Sequence, residues 1–265
     1  MKLWLVYDLF EAERNRRYID FYFEKCAQKG IDLSLQIVEE GIDFENLPHV
    51  AIVRTMNPAL SEKLEGMGVK VCNSSFISRI SNDKWQTYTY LHKNGIRLPE
   101  TYLVTDNFTP PYYPMVLKPC MGKGGRDVEI VNSFEEFAAY KKRVTEKTIA
   151  QKVVSDKGKD LRVYVVGNQI IKAMLRVSES DFRSNFCLGG KAVEYELSKE
   201  EICEIEKIIS LFDISYAGLD FMFDNGKIIF NEMEDVVGAR MLYTHTDIDI
   251  VDIYLNFLIS HTKLT

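Results

Sequence analysis

The sequence has few cysteines and histidines, and neither residue type forms a recognisable ligand or nucleophile motif. The five cysteines are scattered over 265 residues without a C-x-x-C pair, so neither a disulfide framework nor a structural zinc site is predicted. The four histidines are also scattered and form no H-E-x-x-H pattern. A reducing compartment suits such a chain, and we expect a cytoplasmic protein.

Long apolar runs and an excess of positive charge are missing as well. No apolar run approaches the roughly 18 residues that a membrane helix needs, so no membrane association is expected. The first residues become charged too early for a secretory signal peptide. With 39 acidic and 33 basic residues the net charge is −6, which argues against a general nucleic-acid binder.

The first 80 residues alternate between strand and helix patterns. Four short apolar runs are predicted to be buried strands: residues 3–7, 33–38, 50–54 and 69–72. Helices are predicted between and after them: residues 13–29, 58–66 and 75–94. Strands that alternate with helices favour a parallel sheet with crossover helices, so this segment is predicted to be a small α/β domain.

From residue 99 onward, paired strands replace this alternation. Strands are predicted at residues 101–104, 115–118, 127–131, 149–154, 161–166, 169–177, 217–223 and 227–232. Helices are predicted at residues 133–143, 198–211 and 247–259. Gly167-Asn168 and Asp224-Asn225-Gly226 are typical hairpin turns, so much of this part is expected to be antiparallel.

Three carboxylates are expected to converge on the last hairpin. Glu232 and Glu234 are two residues apart, so on a strand they face the same side, and the hairpin brings Asp220 back towards them. Close unpaired carboxylates repel each other, and Mg²⁺ relieves that repulsion while also accepting phosphate oxygens. The spacing taken alone favours the alternative interpretation, a solvated face of an antiparallel hairpin.

A glycine-rich loop follows Lys118, which ends a predicted strand. The loop residues that carry chemistry are Gly122, Lys123, Gly124, Gly125 and Arg126. Backbone N–H groups of such loops cradle phosphates, and lysine adds a positive charge. The loop matches neither the P-loop nor the dinucleotide-binding fingerprint, and a plain hairpin turn is the alternative interpretation.

The order of the motifs is more specific than any one of them. N-D-K at 82–84 precedes K-P and the glycine-rich loop, followed by Q-K-V-V at 151–154 and K-D-L-R-V-Y-V-V-G at 159–167. F-R-S-N, G-L-D and N-E-M-E then begin at residues 182, 218 and 231. Over about residues 70–240 this pattern resembles the ATP-grasp superfamily, and within it the RimK-like ribosomal protein glutamate ligases.

The resemblance implies an α/β (α+β) protein with the ATP-grasp fold, in which two α+β lobes clamp ATP. A small parallel-sheet α/β domain at residues 1–80 is expected to precede these lobes. The first lobe is expected at residues 81–154 and includes the glycine-rich lid loop. The second lobe, with the Mg²⁺-binding carboxylates, is expected at residues 155–265.

The resemblance also implies a role for individual residues in binding ATP. Lys84 and Lys118 look like the two lysines that contact the phosphates. The other implied nucleotide contacts are Gly122, Gly124 and Gly125 of the lid, Gln151, Lys152, Val153 and Val154 of the adenine-binding linker, Asp160 at the ribose, and Ser184 and Asn185 near the phosphates. Asp220, Glu232 and Glu234 match the triad that holds two Mg²⁺ ions, for which Mn²⁺ is a substitute.

The implied activity is that of an ATP-dependent carboxylate–amine ligase. A substrate carboxylate attacks the γ-phosphorus, an amine displaces phosphate from the acyl phosphate, and ADP is released. Lys118 and Arg183 are expected to be catalytic because they neutralise the anionic reactants. An ATP-grasp kinase, a non-catalytic ATP-binding module and a structural α/β protein are the alternatives.

The chain departs from the RimK-like pattern after the triad begins. Glu234 stands where such enzymes usually have Asn, and residues 235–240 replace the usual stretch of small residues and proline. Ribosomal protein modification therefore cannot be carried over, and the substrates are expected to be small-molecule or peptide acids and amines. Arg54 and Arg240 are candidate carboxylate clamps, with a structural role as the alternative for each. The resemblance also favours a homodimer.

Overall fold

The computed structural model describes residues 1–122, 124–177 and 191–262. In these residues the strands form three sheets, one parallel and two antiparallel. The predicted boundary at 154/155 falls between the second and third sheets, whereas the one at 80/81 falls inside a helix (Ser75–Ser81) that follows the first sheet. The division into domains stays a prediction. Within the described ranges, no helix combines the length and apolar character required to cross a membrane.

The N-terminal sheet is parallel, as the alternating pattern predicts. Its strands are β1 (Lys2–Tyr7), β2 (Asp32–Ile37), β3 (Val50–Val53) and β4 (Lys70–Cys72), in the order β2-β1-β3-β4. The chain moves to one side of β1 for β2 and returns to the other side for β3, so strand order reverses between β1 and β3. Ligands of open α/β sheets bind at the carboxyl ends of strands beside such a reversal.

Two predicted helices of this region are each divided in two. Residues 13–29 belong to α1 (Leu9–Arg14) and α2 (Arg16–Gln28), while α3 (Pro58–Gly66) has its predicted bounds. The predicted long helix is divided into α4 (Ser75–Ser81) and α5 (Lys84–Lys93). The Asp83 carboxylate accepts hydrogen bonds from the N–H groups of Trp85 and Gln86, so it begins a new helix and makes Lys84 that helix's first residue.

The second sheet is antiparallel and covers one side of the site. It consists of β5 (Thr101–Val104), β6 (Met115–Pro119), β7 (Glu129–Val131) and β8 (Thr148–Lys152), in the order β5-β8-β6-β7. Helix α6 (Phe134–Arg143) packs on it, and Met115, Leu117, Phe137 and Tyr140 form their common core. The strand and helix predictions for this segment are confirmed to within a few residues.

The third sheet carries the triad. Its strands are β9 (Asp156–Val166), β10 (Gln169–Val177), β11 (Lys191–Tyr195), β12 (Tyr216–Asp224) and β13 (Lys227–Glu234), in the order β11-β10-β9-β12-β13. Helices α7 (Lys199–Ile209), α8 (Arg240–His245) and α9 (Ile250–His261) complete this part. The sequence patterns did not predict β11 or α8.

Both faces of the third sheet are covered, and this arrangement places the site. Leu161, Val163 and Val165 face the apolar side of α7. The alternate residues Tyr164 and Val166 belong to a core shared with α9 and the N-terminal sheet. Further along this second face the side chains become charged, and there the sheet faces β6 and β8 across a cleft.

Candidate active site

A cleft with about 1140 Å³ of empty space, part of it open to solvent, lies between the two antiparallel sheets. It brings together residues that are far apart in the chain. The predicted site residues that line it are Lys84, Lys118, Gly122, Gly124, Gly125, Gln151, Lys152, Val153, Val154, Asp160, Asp220, Glu232 and Glu234.

Five of the predicted site residues are not among those that the structure places at the cleft. Arg183, Ser184 and Asn185 lie outside the described residues. Arg54 and Arg240 are described, but neither lines the cleft. Arg240 is exposed at the first position of α8, whereas Arg54 is buried at the carboxyl edge of the N-terminal sheet.

The three carboxylates converge as the hairpin predicts. Asp220 on β12 is directly opposite Glu232 on β13, and Glu234 follows two residues later on the same face. One oxygen from each carboxylate can be chosen so that all three lie within 4.8 Å of one another. Three hard oxygen donors at this spacing, beside a cleft lined by lysines and glycines, fit a Mg²⁺ site shared with phosphate oxygens.

A β-bulge adds Asn231 to the same face. The register shifts between Asp220 and Phe221, so Asn231 is the extra residue on β13. Strict alternation would turn Asn231 away from the cleft, but the bulge lets it line the cleft with Glu232. The Asn231 Oδ1 accepts a hydrogen bond from the Lys118 Nζ at 2.8 Å. The bulge therefore links the triad strand to the lysine of the opposite sheet.

Two buried arginines hold Asp220. The Nε and one terminal nitrogen of Arg162 donate to the two Asp220 oxygens at 2.8 and 2.7 Å, and Arg176 donates to the second oxygen at 2.8 Å. Arg162 also contacts Glu234 at 2.5 Å, and Arg176 forms a two-pronged pair with Asp160. Asp160, which the resemblance places at the ribose, is therefore already engaged with Arg176.

Burial disfavours the charge of Asp220, but Arg162 and Arg176 overcome this effect and lower its pKa to about 2. Its carboxylate is only 2% exposed. Removing one member of a buried ion pair costs about 3–5 kcal/mol because the partner charge is left uncompensated. Asp220 thus has a structural role in addition to its place in the triad.

The two predicted lysines approach the triad from the other side of the cleft. The Lys84 Nζ lies 3.5 Å from a Glu232 oxygen and donates to the backbone oxygen of Gly122 at 3.2 Å. The Lys118 Nζ donates to the Gln151 Oε1 at 2.8 Å. Burial lowers the pKa of Lys118 to about 8, although the Glu232 charge opposes this shift. Lys118 therefore carries its full charge only below that pH.

The other end of the cleft is apolar. Val116 and Ile130 of one sheet and Met222 of the other line it, next to the linker residues Val153 and Val154. A slot between apolar side chains of two sheets suits a flat aromatic ring. The Gln151 side chain does not stand free here, because its amide also donates to the Thr101 hydroxyl at 3.0 Å.

Reasoning from the sequence missed Arg162, Arg176 and Asn231. The sequence contains a pattern that could have identified Arg162. Asp160, Arg162 and Tyr164 alternate with apolar residues, so they share one face of β9. Arg176 is directly opposite Asp160 in the β9–β10 register. The bulge at Asn231 has no comparable sequence signal.

The segment after the triad is tied to three parts of the molecule. Arg54 donates to the backbone oxygen of Val237 at 2.9 Å, and the Tyr164 hydroxyl donates to that of Gly238 at 3.1 Å. The absence of a side chain at Gly218 allows Val237 to approach, since a Cβ there would lie 2.7 Å from the Val237 Cγ2. The segment that leaves the triad is therefore held against the N-terminal sheet.

Around Arg54 lies a cluster of buried polar atoms, which we call the Arg54–tyrosine cluster. Its members are Arg54, Tyr7, Tyr18, Tyr22 and Tyr216. The four hydroxyls and the Arg54 Nε are shielded from solvent and meet no partner in good hydrogen-bond geometry, although the hydroxyls of Tyr22 and Tyr216 lie close to that of Tyr18.

Comparison with known proteins agrees with this geometry. The family model of the RimK-like ATP-grasp domain matches residues 81–257. The glutamate–LysW ligase ArgX of Sulfolobus acidocaldarius is 26% identical to this chain, over 97% of the chain and 98% of that protein.

Two solved structures have the same fold as this chain. The D-alanine–D-alanine ligase of Bacillus anthracis complexed with ATP has a TM-score of 0.76 at 15% identity, covering 99% of this chain and 97% of that one. The ATP-grasp ligase PsnB, complexed with a variant of its minimal precursor, Mg and ADP, has a TM-score of 0.75 at 17% identity, with 98% of each chain covered. The expected ATP-grasp fold is confirmed, and the chain belongs to the RimK-like ATP-grasp family.

Proposed function

We propose that this protein joins a carboxylic acid to an amine with ATP, through an acyl phosphate, and releases ADP and phosphate. By its family the chain is an ATP-grasp enzyme that forms carbon–nitrogen bonds, and ATP and Mg²⁺ belong to that chemistry. The observation that carries the proposal is the meeting of the triad, two lysines and two buried arginines in one cleft. Positive groups on all sides of a carboxylate triad suit a bound triphosphate.

The cleft divides into parts that suit the parts of ATP. The apolar slot at Val116 and Met222 would take adenine, with the linker backbone beside it. Lys84, Lys118 and the glycine-rich loop would take the phosphates. Asp220, Glu232 and Glu234 would hold two Mg²⁺ ions or Mn²⁺, which supply positive charge between the triad and the phosphate oxygens.

Charge neutralisation is what this chain's own residues contribute to the reaction. The attacking carboxylate and the γ-phosphate are both anionic, so they repel each other in water. Lys84 and Lys118 lower this repulsion from one side of the cleft, and Arg183 is proposed to act in the same way. Closure of the glycine-rich loop would exclude water from the acyl phosphate, which is readily hydrolysed.

The proposed substrates are a small-molecule or peptide acid and an amine. A relative that aligns with nearly the whole chain is named a glutamate–LysW ligase, so glutamate is the first substrate to test. Glu234, in place of the usual Asn, adds a negative charge to the triad. We therefore propose tighter binding of divalent cations than an Asn at this position would give.

Three further parts of the proposal concern the whole chain. We propose the domain boundaries at 80/81 and 154/155, a homodimer, and a cytoplasmic location where ATP is available. Sedimentation analysis tests the dimer, and a monomer at micromolar concentration contradicts it.

The test of the proposed function is a screen of acids and amines with Mg²⁺ and ATP. We expect ADP and phosphate to form only when a matching acid and amine are both present, together with an amide product. AMP and pyrophosphate would instead indicate an adenylating enzyme. A stable phosphorylated product without amine would indicate a kinase, and ATP binding without turnover across the screen would indicate a non-catalytic module.

A further inference from the structure

The Arg54–tyrosine cluster lies outside the cleft. Its polar side chains have no part in the proposed binding of ATP. Arg54 directly follows β3 and Tyr7 ends β1, so both stand at the carboxyl edge where the strand order of the N-terminal sheet reverses. Tyr18 and Tyr22 of α2 and Tyr216 of β12 close around them. The position is one at which open α/β sheets bind ligands.

The positive charge of Arg54 is unusual because no carboxylate of the described residues forms an ion pair with it. Its side chain is 5% exposed. It contacts the Val237 carbonyl oxygen and the rings of Tyr7 and Tyr18, whose centroids lie 5.7 and 5.2 Å from the guanidinium carbon. Apart from burial, the main influences on its pKa are the four tyrosines of the cluster. A guanidinium cannot shed its proton, so it needs a negative partner or pays the cost of isolation.

The tyrosine hydroxyls are suited to supply the remaining contacts of such a partner. Burial raises the pKa of Tyr7, Tyr18, Tyr22 and Tyr216, so all four stay neutral and can donate a hydrogen bond. Neither these hydroxyls nor the Arg54 Nε meet a partner in good hydrogen-bond geometry, although the Tyr22 and Tyr216 hydroxyls lie close to that of Tyr18. Four hydroxyl donors around one buried guanidinium match the several lone pairs of a carboxylate.

We propose that the Arg54–tyrosine cluster is an enclosed binding site for a carboxylate, and that it takes the carboxylate of a substrate that is not the one activated by ATP. The second half of the proposal rests on the proposed function. Tyr216 and Asp220 share one face of β12, four residues or roughly 13 Å apart, so one carboxylate cannot occupy both places. The substrate would therefore carry a second acidic group.

Formate and acetate are suitable probes because the site is enclosed and these are the smallest carboxylates. Thermal unfolding of the full chain is measured without nucleotide, in sodium formate or acetate against sodium chloride of equal ionic strength. We expect a saturable rise of the melting temperature with either carboxylate, and none with the neutral formamide. Equal shifts in chloride and formate would mean a general salt effect and would overturn the proposal.

Tyrosine-to-phenylalanine variants locate the effect. Tyr22→Phe and Tyr216→Phe remove a hydroxyl each and are expected to weaken formate binding by about tenfold or more. Tyr113→Phe is the matched control, because Tyr113 also has a buried hydroxyl without a partner but packs against the core of the second sheet. Without formate, Tyr22→Phe should melt at the wild-type temperature or above. An unchanged formate shift in both cluster variants, or a lower melting temperature of formate-free Tyr22→Phe, would refute the site.

The two halves of the proposal fail separately. If formate binds while Mg²⁺ and ATP do not stabilise the protein, the proposed function is wrong and the carboxylate site remains. With a substrate pair from the screen, Tyr22→Phe should raise the KM of one substrate and leave the KM of ATP unchanged. If formate binding is lost in this variant but both substrate KM values stay at the wild-type level, the cluster is not part of the substrate site.

Discussion

Asp220 and Glu232 belong to the same triad, but their neutral variants are expected to differ strongly in stability. Asp220→Asn keeps the shape of the side chain and removes the charge that two buried arginines share. Glu232→Gln removes a carboxylate that is 31% exposed and has one lysine, Lys84, at 3.5 Å. Both substitutions remove one triad ligand, so both should abolish turnover.

The size of the difference follows from these contacts. Breaking a buried ion pair costs about 3–5 kcal/mol. We expect the lower end for Asp220→Asn, because Arg162 keeps Glu234 and Arg176 keeps Asp160 as partners. At roughly 2–4 °C per kcal/mol for a protein of this size, the melting temperature should fall by about 6–12 °C. Glu232→Gln should cost less than about 1 kcal/mol, as for an exposed ion pair.

The assay is thermal unfolding in EDTA, without nucleotide, so that no bound metal contributes to stability. ADP production by the same preparations reports turnover. Equal melting temperatures for the two variants would refute the argument that Asp220 holds Arg162 and Arg176 in the metal-free protein. Normal turnover in Glu232→Gln would refute the triad itself.

Three further predictions concern the cleft and its supports. ATP affinity should fall as pH rises through about 8, because burial lowers the pKa of Lys118 to that value and the positive charge is lost above it. The Lys118→Arg variant should not show this pH dependence in binding titrations. Gly218→Ala should destabilise the protein by about 1–3 kcal/mol, because the new Cβ would press on Val237. Gly66 has open space around it, so Gly66→Ala should not destabilise the protein in the same unfolding assay. Asp83→Ala should cost about 0.5–2 kcal/mol through the lost N-cap, and also weaken ATP binding, since α5 starts at a cleft lysine.

Much of the site follows from patterns of local sequence. The hairpin turn at 224–226 fixes which strands pair, and alternation within β13 then places Glu232 and Glu234 on one face opposite Asp220. The lysines and the linker follow from the order of the motifs along the chain. For these residues the structure brings together what the sequence predicts.

What the sequence did not reveal depends on contacts between distant segments. The division between α4 and α5 arises because Asp83 caps a new helix, a role that competes with continuing the apolar pattern. Arg176 of β10 reaches Asp220 of β12 across the single strand β9 that lies between them, and only the register of the three strands shows it. The sequence pattern predicts a surface residue at Arg54, directly after a strand. In the structure its guanidinium donates a hydrogen bond to the carbonyl oxygen of Val237, 183 residues later in the chain.

The central claim is that a substrate carboxylate attacks the γ-phosphorus of ATP, and transfer of a carboxylate oxygen tests it most directly. Amino acids and peptides, all labelled with ¹⁸O in their carboxyl groups and glutamate among them, are incubated in pairs with the protein, Mg²⁺, ATP and a panel of amines. The released phosphate is then analysed by mass. The account predicts ADP and phosphate that carries one ¹⁸O for each amide formed, and unlabelled phosphate or AMP would contradict it.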